Sequence, residues 1–384
     1  GQSPGLQGTF AQTRRCARYS IRAMFAVGRA GGFQYNARIV MTSELYGAIL
    51  AGAVDDLRPA REAFDRQPVD WDLIESGVEF APRRQSTIDH AVSVAGPGTF
   101  LGKATRLLKF EPTDLEGWWF VRDDLPDCLP VRVSIRNVWT TGDVVSNIVL
   151  RSGPPQNYIR MVEHIVALKC GLPVDNVLIR LTSGDPPLFN RGSLDLVETL
   201  ESAGLRETER PARYFTVKEK VTVAAPNGAF LTFHPATGPT PRLTVDCAIN
   251  FPTAIGKQRI RFVLNPGHFK YGAEARTNTS FIKMLYCRTI GKLFADIRNL
   301  GYTSDNLLIA ARWGYVNEAK LMHGKKSLEA VWHRAILDLL AAVALLEEGR
   351  FCGHIESYKA GHHLDCLAMR LLYKHDLLRE ITDF

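Results

Sequence analysis

The sequence predicts an α+β protein of two two-layer domains, each a β-sheet packed with helices, preceded by an N-terminal extension. Three observations predict it. The chain has 384 residues and 46% hydrophobic content, enough length and apolar material for two buried cores. Each half runs strand-like segments before helix-like ones, unlike the strict alternation of a doubly wound sheet. Residues 1 to 85 open on a basic, acid-free segment and precede the first run of alternating strands.

The extension begins with an arginine-rich segment. Residues 1–43 hold six of the 47 basic residues (Arg14, Arg15, Arg18, Arg22, Arg29 and Arg38) and no acid, leaving 41 basic against 40 acidic residues elsewhere. The net charge of +7 therefore sits in the tail, and the body shows no basic footprint for nucleic acid. An arginine-rich, acid-free start with Ser, Gln, Gly and Ala has the composition of an organellar transit peptide, mitochondrial in the first instance and plastid in the second. A solvated basic tail is the plainer reading. A helix is expected around Ser43 to Ala53, then a charged stretch with Pro59 and Pro68.

In residues 86–207, the first domain, apolar runs such as Val131 to Ile135 and Val177 to Leu181 read as strands around a helix over Ile159 to Lys169. In residues 208–384, the second, strands over Tyr214 to Val223, Ala229 to His234 and Leu243 to Phe251 are punctuated by Pro and Gly turns. This half closes in helices, the longest from Ser327 as N-cap to Gly349 as C′ residue. The longest apolar candidate for a membrane span, Ala335 to Leu346, is too short and is broken by Asp338, so no transmembrane helix is expected. Seven cysteines, odd in number and without CxxC spacing, point to structural thiols in a reducing compartment.

Chemistry concentrates in three polar interruptions of apolar segments. Glu163 and His164 stand side by side in one helix, His333, Arg334 and Asp338 interrupt another, and Gly361 presents His362 at a loop-to-helix junction. Burying such groups is costly unless something binds them. Together they offer two or three zinc ligands, a carboxylate base and a histidine acid, the inventory of a hydrolytic zinc site with one position open to water. For any one of them alone, a satisfied core residue is the more frequent outcome.

Several stretches occur in a telling order: Gly96 to Lys103, Met161 to Asn176, Arg288 to Gly291, Val316 to Glu318, His333 to Asp338, and Ser357 to His362. Over about residues 86–375 the chain resembles the zinc-dependent UDP-3-O-acyl-N-acetylglucosamine deacetylases of lipid A synthesis. The resemblance implies that His164 and His333 ligate zinc, with Asp338 as the third ligand. It implies that Glu163 is the general base, that His362 is the general acid, and that Thr289 contacts the tetrahedral intermediate. Arg334 stands where the family has a lysine. The implied cofactor is zinc, and the implied substrate an acylated UDP-sugar.

The chain departs from that family in ways that bear on chemistry. The family spaces its metal histidine and aspartate by four residues, about 40° apart around a helix; His333 and Asp338 are five apart, about 140°. One π-bulge would restore the geometry. In a regular helix Arg334 and Asp338, four apart, would instead form an ion pair with no metal, and the spacing favours that arrangement. The aspartate that orients the family's acid histidine is Ala342 here, a histidine of its first-domain glycine motif is Phe100, and Asn190-Arg191 replaces an acidic turn residue before Gly192-Ser193.

Two functions are consistent with these residues. Surviving Glu163, His164, His333 and His362 support an active zinc deacetylase. The displaced Asp338, Phe100, Ala342 and the long extension favour a catalytically retired homologue, an accessory subunit with protein partners in an organellar assembly.

Overall fold

A computed structural model describes residues 42–43, 45–74, 83–98, 104–142, 146–238, 240–280 and 303–382. All belong to one unit, Arg38–Phe384; the arginine-rich start lies outside them. The mixed architecture expected from the sequence is present: a five-stranded sheet from residues 92–181 and an eight-stranded sheet around which the last third of the chain packs.

The five-stranded sheet runs in the order Val92–Pro97, Thr105–Glu111, Val177–Leu181, Trp118–Arg122, Val131–Arg132. Val177–Leu181 alternates buried and half-buried residues, the period of a strand with one face on a core. The expected Val131 to Ile135 strand is shorter, because Ser134 accepts from the Arg136 N–H and caps a 3-10 turn over Ile135–Asn137. Likewise the expected Ile159 to Lys169 helix starts only at Glu163. Tyr158–Ile159 pairs as a strand with Leu150–Arg151, and Met161 takes φ +53° at the junction.

The eight-stranded sheet is ordered Thr42–Ser43, Gly47–Ala51, Val221–Ala224, Phe230–His234, Gly353–Tyr358, Leu243–Asn250, Lys257–Val263, Trp71–Leu73. Its inner face carries Val223, Leu231, Phe233, Val245 and Ile355 into the main core. Its outer face carries Ala224, Phe230, Ala248 and Tyr358 into a second core. Both faces are therefore covered, and the strand from Leu243 to Ile249 is continuously buried rather than alternating.

The extension covers that outer face. Gly47–Ala51 adds in parallel beside Val221–Ala224, the helix Val54–Arg66 comes next, and Trp71–Leu73 adds in parallel at the opposite edge beside Lys257–Val263. Leu57, Ala60 and Phe64, one stripe of that helix, fill the second core. The helix expected around Ser43 to Ala53 is thus a strand, bracketed by Gly47 and Gly52 at φ +66° and +93°. A short apolar run does not distinguish helix from strand, and here the flanking glycines are the arbiter. The charged stretch after it is helical despite Pro59, because burial of its apolar stripe outweighs the lost backbone bond.

Two contacts lock the parts and make predictions. Asp175 accepts from Arg83 (2.5 and 2.9 Å), from Arg350 Nε (2.9 Å) and from the Ser86 N–H (2.9 Å). Burial opposes its charge, but the two arginines outweigh it and hold the carboxyl well below the usual range. A depressed folded-state pKa contributes stability above the unfolded value and loses it as pH falls. Asp175→Asn should therefore cost about 3–5 kcal/mol at pH 7, and the gap from wild type should narrow below about pH 4 in urea titrations. Equal denaturation midpoints at pH 7 would exclude this strut.

Gly272 meets the second contact. A Cβ there would stand 2.5 Å from Ile336 Cγ1 and 2.7 Å from the Trp332 ring, both on the His333 helix. Gly272→Ala should overpack that seam and destabilise the fold by about 1–3 kcal/mol, read as a lowered melting temperature.

Candidate active site

The His333 helix changes pitch where the sequence carries its extra residue. It is α-helical over Glu329–Trp332, π-helical over His333–Leu339, and α-helical again over Leu340–Val343. A π turn absorbs one inserted residue, so the five-residue step keeps His333 and Asp338 on one face. Asp338 Oδ1 lies 3.5 Å from His333 Nδ1 and 3.4 Å from His362 Nε2. The Arg334–Asp338 pair of a regular helix is replaced by another. Arg334 turns into the core, where Nη2 donates to Asp365 Oδ1 (2.5 Å) and to Ser357 Oγ (3.3 Å). Asp365 sits in the first turn of the His362 helix, so this buried pair ties the two histidine helices together.

Glu163 is buried at the start of its short helix, and its Oε2 accepts from the Ile148 N–H at 3.1 Å. Burial raises its pKa, partly opposed by the charge of His362. The neighbouring His164 ring stands 5.4 Å from the His333 ring, centroid to centroid. Burial, reinforced by the His333 charge, keeps His164 below the usual imidazole range and so neutral, the form that ligates a metal. Burial also opposes ionisation of Asp338, but the charges of His333 and His362 prevail and hold it well below the usual carboxylate range.

Thr277 joins the site with little in the sequence pattern to mark it. Its Oγ1 lies 3.1 Å from His333 Nε2 and 3.4 Å from His164 Nε2, so both imidazoles converge on one hydroxyl. The preceding Arg276 forms a buried ion pair with Glu329 (2.7 and 3.0 Å), which fastens this strand to the start of the His333 helix. One faint signal exists: Arg276-Thr277 repeats the dipeptide Arg288-Thr289. Thr289 itself, like Phe100, lies outside the described residues.

His333 Nδ1, His362 Nδ1 and Asp338 Oδ1 are buried and make no hydrogen bond among the described residues. Such unpartnered nitrogen and oxygen atoms are donors of the kind zinc takes, and His333 and Asp338, with the neutral His164 ring beside them, carry that chemistry. Asp338 lies on the Nδ1 side of the His333 ring and Thr277 on its Nε2 side.

The profile of the family described as UDP-3-O-acyl N-acetylglycosamine deacetylase matches residues 85–374. The chain belongs to this deacetylase family. UDP-3-O-acyl-N-acetylglucosamine deacetylase of Marinobacter nauticus is 27% identical over 309 residues, covering 78% of this chain and 93% of that protein. Those of Aliarcobacter butzleri and Hahella chejuensis are each 26% identical, covering 78% of this chain and 93% and 94% of their own lengths.

Two of the positions read above as departures lie among the described residues. Ala342 is buried in the core of its helix. In the altered turn, Arg191 pairs with Asp195 and Glu198, while Ser193 Oγ donates to the His164 carbonyl (2.9 Å) and buttresses that helix. A small cavity lined by Met161, Leu188, Phe189 and Leu196 adjoins Glu163 and His164. Among the described residues no helix is long and apolar enough to cross a membrane.

Proposed function

We propose that this chain is an active zinc-dependent deacetylase that hydrolyses the N-acetyl amide of an acylated UDP-sugar, the substrate class in the names of its relatives. The π turn carries the reading: it places Asp338 beside both His333 and His362 despite the inserted residue. His164, His333 and Asp338 would hold zinc, which when bound supplies Lewis acidity toward the amide oxygen and lowers the pKa of water. Glu163 takes a proton from the attacking water as its oxygen bonds to the acetyl carbon. His362 gives a proton to the amine nitrogen as the C–N bond breaks, yielding acetate and a free amine. Thr277 positions the two imidazoles through its hydroxyl.

Arg334, spent on Asp365, acts as a positioning residue between helices. His362 loses the family's orienting carboxylate at Ala342, yet Asp338 stands 3.4 Å from it, so one carboxylate serves both histidines. The retired accessory-subunit reading keeps Ala342 as its remaining described support, since the displaced Asp338 no longer argues for it and the extension, where described, is built into the sheet. Purified protein with about one zinc at His164 and His333, and measurable release of acetate from UDP-3-O-acyl-N-acetylglucosamine, is the expected result. Metal-free protein without turnover would sink the proposal and leave the accessory role standing. The arginine-rich start supports a mitochondrial placement, for which an import assay of the full chain is the check.

A further inference from the structure

On the outer face of the large sheet, His234, His354 and Glu356 bring one ligand atom each to within 4.8 Å of one another. Register puts them there. His234 stands directly opposite His354 on the neighbouring strand, and Glu356 lies two residues farther along, so all three share one face. The inner face of the same strand meets Arg334 through Ser357, so this trio lies on the other side of the sheet from the candidate active site.

We infer that the trio is a second metal site, for a divalent cation of the zinc class. His234 Nε2 is 3.2 Å from Glu356 Oε2, close to the roughly 3.3 Å that separates two ligands around a tetrahedral ion with bonds of about 2.0–2.1 Å. Thr244 Oγ1 lies 2.8 Å from His354 Nδ1 and occupies that nitrogen, which fixes Nε2 as the ligating atom. Arg61 grips Glu356 through both terminal nitrogens (2.5 and 3.0 Å) and sets the direction of the carboxylate. With the ion in place Oε1 keeps Arg61 and Oε2 turns to the metal. Both histidines are only partly buried, so the ion enters from solvent, and a water completes the tetrahedron.

The competing account is an ion-pair network, His234–Glu356–Arg61, that merely clamps the extension helix to the sheet. Zinc content separates the two. The full chain, stripped by chelator, reloaded with Zn2+ and desalted, should hold about one ion per chain more than His354→Ala or His234→Ala prepared alike. Reloading with Co2+ should give a visible absorption that weakens in the same variants. Should His354→Ala fail to fold, His234→Ala, whose side chain is 27% exposed, carries the comparison. Variants that hold as much metal as wild type, or a wild type that holds none beyond what His333→Ala removes, overturn the site and leave the ion-pair network only. The test is independent of the deacetylase proposal. If that proposal alone fails, His333→Ala leaves metal content unchanged while His354→Ala still lowers it.

Discussion

Glu163→Gln is expected to lower kcat by about 10²- to 10⁴-fold, the usual contribution of a positioned general base, while zinc content stays as in wild type. The substitution isolates chemistry from architecture. Glutamine has the shape of glutamate and still offers an oxygen to the Ile148 N–H, so the local fold is preserved. It removes only the proton acceptor. Because burial already penalises the charged form of Glu163, the neutral side chain should leave the melting temperature unchanged or slightly raised. His333→Ala should behave differently, losing the active-site metal and turnover together. Activity of Glu163→Gln within tenfold of wild type would remove Glu163 from the base role, whatever the zinc content.

The second large effect is on stability. Phe64→Ala should cost about 3–5 kcal/mol, the range for deleting a buried aromatic ring, and should shift the urea midpoint accordingly. Phe64 is fully buried, packs edge-on against Phe230 (5.5 Å) and Tyr358 (5.9 Å), and lies under the Arg259 guanidinium (3.9 Å). Arg259 in turn donates to the Phe64 and Gln67 carbonyls and to Asp246, so the helix end, the ring and the sheet are one packed unit. Truncation of residues 1–82 would strip both edge strands and this core from the sheet, and should give insoluble protein. A dispensable docking arm predicts the opposite: a soluble truncated chain and a Phe64→Ala variant within about 0.5 kcal/mol of wild type.

The two results bear on different links of the same chain of causes. The extension holds the outer face of the sheet, and the sheet holds the strand Gly353–Tyr358, which leads into the His362 helix. Loss of Phe64 should therefore reach activity only through the folded fraction, with kcat per folded molecule preserved. Glu163→Gln should do the reverse.

Much of this is legible in the sequence. The apolar runs Val177 to Leu181 and Leu243 to Phe251 declare strands by composition, and paired polar residues inside apolar helices declare a site, because a buried charge without a partner is too costly to be incidental. Glu163, His164, His333 and His362 all stand out by that reasoning. Thr277 does not, since a hydroxyl carries no burial cost conspicuous enough to mark it among many threonines.

The mixed fold, the deacetylase resemblance and the four groups able to do acid–base and metal chemistry can all be read from residue order alone. The direction of Asp338 cannot. A helix repeats every 3.6 residues whatever its surroundings, so spacing alone sends the sixth residue of His333-Arg-Ala-Ile-Leu-Asp338 to the wrong side. Packing of Trp332 and Ile336 against Gly272 and the pairing of Arg334 with Asp365 hold the first half of the turn, and its π pitch absorbs the extra residue. The same holds for the extension: its strands and helix are too weak locally to declare themselves, and take their form from the apolar sheet face they cover.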